Sequence, residues 1–193
     1  MQFKKRFIPI TVRTLLLAGL LVSNQAWSFT QPCELVVKMA DAKVYQAQPN
    51  RLASLLPLNK LPEEWQLTQL ETHGAWFVYS TTHPDLSYTQ CAPLSRLFNN
   101  KPYEFMPVFL NKQTGVNAVL TGTFIVKSYE ADDLDKIVNR YGFKLLTRLP
   151  NPLTAIVDVL PQTSFDTLLE TLDRDKDVQF AVPILSEPRY KTR

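Results

Sequence analysis

Two short stretches near the end of this chain restrict its fold more than anything else in the sequence. Leu134, Ile137, Val138 and Tyr141 are spaced 0, 3, 4 and 7, and so are Phe165, Leu168, Leu169 and Leu172. Each set is one face of an α-helix. Around them lie four β-rich runs: Thr123–Lys127, Phe143–Leu149, Ala155–Val159 and Val178–Val182. Asp132 and Asp133 suit the start of the first helix and Gly142 its stop. Thr163 suits the start of the second, with Asp166 at the reciprocal capping position. Pro150-Asn151-Pro152 marks a turn, and Pro183 ends the last strand or places it on an edge.

The order β-α-β-β-α-β, with right-handed crossovers, predicts an α+β, ferredoxin-like unit: a four-stranded antiparallel sheet with two helices on one face. The other face is left uncovered and open to a partner. The first half suggests a fainter copy. Glu34–Lys38 resembles Phe124–Lys127 in character, and Leu52, Leu55 and Leu56 suggest a short helix ending near Pro57. Trp65–Glu71 and Ala75–Ser80 suggest a hairpin across His73-Gly74. Leu94, Leu97 and Phe98 suggest a helical face, and Tyr103–Val108 a closing strand. The expected organisation is then a weak ferredoxin-like unit over 29–110, a linker over 111–121, a second unit over 122–188 and an exposed tail over 189–193. A single larger α+β domain is the alternative to two units in tandem.

Residues 1–28 have the pattern of a secretory signal peptide. Lys4, Lys5, Arg6 and Arg13 precede the apolar run Thr14–Val22, and the small residues Ala26 and Ser28 precede a cleavage position. The apolar run is about half the length that a bilayer crossing needs. The chain has 21 basic and 18 acidic residues; the first 28 hold four of the basic and none of the acidic ones, leaving 17 against 18, a net charge of −1. A near-neutral exported chain has no electrostatic motive for nucleic acid or for stable membrane association. In a periplasmic or secreted setting its two cysteines, Cys33 and Cys91, suit one structural disulfide, with two free thiols as the alternative.

Reactive groups are sparse. His73 beside Gly74 fits a hairpin turn, and His83-Pro84-Asp85 fits a turn in which Asp85 caps. No nucleophile elbow, zinc-binding helix or phosphate-cradling glycine loop occurs. Asp132, Asp133 and Asp135 have a calcium-like composition but suit a helix amino terminus better, where they offset the helix dipole. Trp65, Trp76, Phe77 and Tyr79 are either a binding platform or core residues at strand spacing. A protein without cofactor, metal or catalytic residues is expected.

Gly122-Thr123-Phe124-Ile125-Val126-Lys127, Arg140-Tyr141-Gly142-Phe143 and Leu145–Leu149 together resemble the propeptide domain of subtilisin-like serine proteases. So do Ala155–Pro161, the following helix, and Asp177–Pro183 as the closing strand. The resemblance covers residues 103–188. It implies a folding chaperone and inhibitor whose open sheet face docks on the protease while its tail enters the active-site cleft. With no protease domain after Arg193, it implies action in trans on a subtilisin- or kexin-like protease. Pro188, Arg189, Tyr190, Lys191, Thr192 and Arg193 would be the inserting segment. One departure matters: the family carries acids beside the proline after its last strand, whereas Val182 and Ile184 flank Pro183 here. Each missing charged cap weakens such docking by roughly 1 kcal/mol. A non-enzymatic periplasmic scaffold or assembly protein using the same face is the alternative.

Overall fold

The computed structural model describes residues 31–159 and 164–188. Residues 1–28, expected as a signal peptide, Thr163 and the tail residues Arg189–Arg193 lie outside the described residues. The chain runs α1 (Glu34–Asp41), β1 (Tyr45–Ser54), β2 (Thr68–His73), β3 (Trp76–Ser80), β4 (Leu94–Phe98), β5 (Lys101–Asn111), β6 (Asn117–Ser128), α2 (Asp133–Tyr141), β7 (Lys144–Arg148), β8 (Thr154–Asp158), α3 (Phe165–Asp173) and β9 (Val178–Ser186). Nine strands form one open antiparallel sheet in the order β2-β3-β1-β5-β6-β8-β7. In addition, β4 pairs with β5, and β9 pairs with β6.

The second half follows the predicted order of elements. Phe124 and Val126 of β6 are fully buried and share the core with Leu134 and Ile137 of α2 and Ala155 and Val157 of β8. Their neighbours Ile125 and Lys127 point to the opposite face and are half-buried. Gly142 ends α2 with φ +65°, and Phe143 N–H bonds to the Val138 carbonyl at 2.9 Å. Pro183 sits inside β9, which pairs among the described strands with β6 alone. An edge position tolerates the missing donor.

The first half departs from the expected copy, and a ferredoxin-like repeat is not confirmed. Glu34–Lys38 is helical. Val36-Val37 favours a strand locally, but tertiary bonds hold the helix: Asp166 Oδ1 accepts from the backbone N–H groups of Leu35 and Val36, both at 3.0 Å. Glu34 and Lys38 pair one turn apart at 2.8 Å. Leu52 lies in β1 rather than in a helix, because Leu52 and Ala53 are held between β3 and β5. Leu94, Leu97 and Phe98 form a strand too. Leu97 is 74% exposed while Phe98 packs on Trp65, an alternation of strand type. Residues 111–121, expected as a linker, form the β5–β6 turn and the start of β6. Asn111 Oδ1 accepts from the N–H groups of Gln113 and Thr114, which tightens the turn. The β2–β3 hairpin at His73-Gly74 is where it was expected, with Gly74 at φ +57°.

The two halves share β6. One of its edges carries β5 as far as Val119 and β8 from Thr123 onward. Gly122 is at the changeover with φ +78°, and its carbonyl accepts from Val159 N–H at 2.8 Å. A Cβ there would lie 3.0 Å from the Val159 carbonyl oxygen, so the close approach needs glycine. The pairing with β9 on the other edge shifts register over the same stretch.

Candidate functional site

The face of β9-β6-β8-β7 turned away from α2 is built from alternate residues of four strands. Its central row is Val182, Ile125, Ile156 and Thr147, matched across the strands in that order. Ile125, Ile156 and Val182 are half-buried, which leaves apolar surface accessible in the middle of the face. One flanking row holds Phe180, Lys127 and Thr154. Phe180 is 38% exposed and lies under the Lys127 ammonium, 5.8 Å from its ring centre. The other flanking row holds Thr123, Asp158 and Lys144. An apolar centre with a mixed-charge rim is the composition of a protein-binding surface.

The helices pack behind this face. Asp166 of α3 is 2% exposed and caps α1, while Phe165 N–H bonds to the Cys91 carbonyl at 2.6 Å. Burial pushes the Asp166 carboxyl pKa up, and the backbone donors of Val36 and Leu35 offset part of that rise. The sequence places Asp166 as a reciprocal cap within its own helix. Instead, Ser164 caps α3, its Oγ accepting from Thr167 N–H at 3.1 Å. At the opposite end, Arg140 of α2 grips Asp175 at 2.5 Å and Asp177 at 2.6 Å, and Tyr141 donates its hydroxyl to Asp175 at 2.8 Å. Burial alone would raise the Asp175 pKa; the backbone N–H of Asp177 and the side chains of Arg140 and Tyr141 outweigh it and leave it lowered.

Cys33 and Cys91 form a disulfide, both buried, joining the start of α1 to the segment before β4. Pro188 is half-buried at the end of the described chain, two residues beyond β9. The aromatic set is core: Trp65 stands edge-on to Phe98, Tyr103 and Phe105, and Tyr79 is fully buried with its hydroxyl bonded to the Leu56 carbonyl. Trp76 and Phe77 pack beside it. Asp133 pairs with Lys136, and Asp135 with Arg148 across to β7. In the His83-Pro84-Asp85 turn the cap is His83, whose Nδ1 accepts from Asp85 N–H at 3.3 Å. Asp85 does not cap.

One group of contacts had no signal in the sequence. His73 Nε2 lies 3.1 Å from the Ser186 carbonyl oxygen. Glu187, the next residue, accepts from Asn111 Nδ2 at 3.1 Å and bonds to Tyr45. Burial first, and the Glu187 carboxylate second, push the Tyr45 hydroxyl up to about 12. Residues more than 70 positions apart meet here, so no local pattern could have announced the contact.

No protein-family model matches the sequence, and neither does any curated protein. A chain in the crystal structure of the Aeromonas sobria serine protease (ASP) and chaperone (ORF2) complex is similar over 51% of this chain and 99% of that one. The two share 15% identity, with a TM-score of 0.37. Among the described residues no helix is long and apolar enough to cross a membrane.

Proposed function

We propose that this chain is an exported, non-enzymatic protein that binds a subtilisin-like serine protease in trans, as an inhibitor or a folding chaperone. The β9-β6-β8-β7 face docks on the protease, and Pro188, Arg189, Tyr190, Lys191, Thr192 and Arg193 enter its active-site cleft. What supports this most is the central row Val182, Ile125, Ile156 and Thr147, on the face turned away from α2 and joined through β9 to that segment. The β9-β6-β8-β7 order is also the ferredoxin-like order that the propeptide resemblance implies. A strand leading straight into a proline-containing segment suits insertion into a cleft that binds peptides as strands.

The test is titration of residues 29–193 against subtilisin- and kexin-type proteases with a chromogenic peptide. Hydrolysis should slow. Deleting Pro188–Arg193 should abolish the effect while the melting temperature stays within a few degrees. Equal inhibition by the truncated chain would overturn the reading.

Val182 and Ile184 support the second reading, a periplasmic scaffold that uses the same face. Both are half-buried and apolar, at positions where a charged cap for a protease helix would stand. That reading expects stable complexes with proteins that are not proteases, and no slowing of hydrolysis.

A further inference from the structure

The residues around Ser186 bring together parts of the molecule that are far apart in sequence. His73 closes the β2–β3 hairpin, Asn111 ends β5, and Tyr45 opens β1, yet all three converge on the last residue of β9 and the one after it. The His73 side chain is 5% exposed. A backbone carbonyl only accepts, so the bond to Ser186 requires the proton on Nε2. Nδ1 is buried without a hydrogen-bond partner, 3.6 Å from Glu71 Oε1. The Glu71 carboxylate itself accepts from Asn117 N–H at 3.2 Å, and Asn117 Oδ1 accepts from Arg51 Nη1 at 2.6 Å.

An orphaned ring nitrogen beside a carboxylate is an unfavourable way to fill space. A leucine or phenylalanine would fill the same volume without that cost. What the imidazole adds is the bond to Ser186, where the ladder with Val119 ends and the chain leaves the sheet.

We propose that His73 is a positioning residue: with Asn111 and Tyr45 it clasps Ser186 and Glu187, so that the chain leaves the sheet at Pro188 in one fixed direction. The extra strands of the first half thereby act on the segment that the second half presents. In its consequence for protease binding the clasp rests on the function proposed above; as a structural device it does not.

Amide hydrogen exchange on the full chain tests it. His73→Ala should speed exchange at Leu185–Glu187 by about tenfold, the worth of one buried hydrogen bond, while Leu134–Val138 keeps wild-type protection. His73→Gln, whose amide nitrogen takes the place of Nε2, should restore protection. Unchanged exchange in His73→Ala, or exchange in His73→Gln as fast as in His73→Ala, would overturn the clasp. If His73→Ala fails to fold, the imidazole nitrogen spectrum of the wild-type chain decides: a proton on Nε2 supports the clasp, and an Nε2 without a proton overturns it. Inhibition gives the functional arm. His73→Ala should weaken protease inhibition by about tenfold in the full chain, and His73→Gln should restore it. If the wild-type chain inhibits no protease, the proposed function fails and the exchange data alone decide the clasp.

Discussion

At the scale of single residues, Asp166 and Gly122 carry the most consequence. Asp166→Ala would leave the Leu35 and Val36 N–H groups buried without an acceptor, so chemical denaturation should show a loss of about 2 kcal/mol or more. Asp166→Asn keeps an acceptor without the buried charge and should cost clearly less. The Asp166 pKa is raised in the folded protein, so its contribution is fully present below the ordinary carboxylate range and declines as pH rises through the folded value. Stability measured against pH should therefore fall less steeply across that window in Asp166→Asn than in the wild type. Gly122→Ala would place a Cβ against a backbone oxygen in the left-handed region and should cost about 1–3 kcal/mol by the same measurement. Gly122 is visible in the sequence only as the residue before a β-rich run; its role depends on β8, more than 30 residues onward.

At the scale of elements, α2 and its neighbours were legible because their signals are local. The 0, 3, 4, 7 spacing and Gly142 lie within ten residues of one another. The misread elements of the first half lack that. In α1 the cap comes from a distant residue, and in β4 the apolar spacing resembles a helix by coincidence. A usable signal did exist beside β4: Asn99-Asn100 separates two β-rich runs, and both residues have positive φ, as a tight hairpin turn requires. The Arg140 clamp joins α2 to the α3–β9 connection, and its test is acid unfolding. The Asp175 pKa is lowered in the folded state, so its contribution is present above the unfolded value and is lost as pH falls through the folded one. Arg140→Gln should raise the midpoint of acid unfolding, and a midpoint equal to that of wild type would count against the clamp.

At the scale of the whole molecule, β6 makes the two halves inseparable. Its first residues complete the sheet of β1, β3 and β5, and its last residues form the centre of the β9-β6-β8-β7 face. Residues 29–116 and 117–193 made as separate chains should each lack a cooperative thermal transition, whereas the intact chain should unfold in one step. A cooperative transition in the isolated 117–193 chain would show that the second half is self-sufficient. The order of elements in the second half was legible from local spacing, whereas the single continuous sheet was not, because strand pairing between halves leaves no periodic trace. The cap on α1 also sets a timetable. An eight-residue helix does not persist alone in water, and its acceptor lies 130 positions downstream. In a chain emerging amino terminus first that acceptor arrives after both cysteines, so the first helix in the sequence is among the last to form.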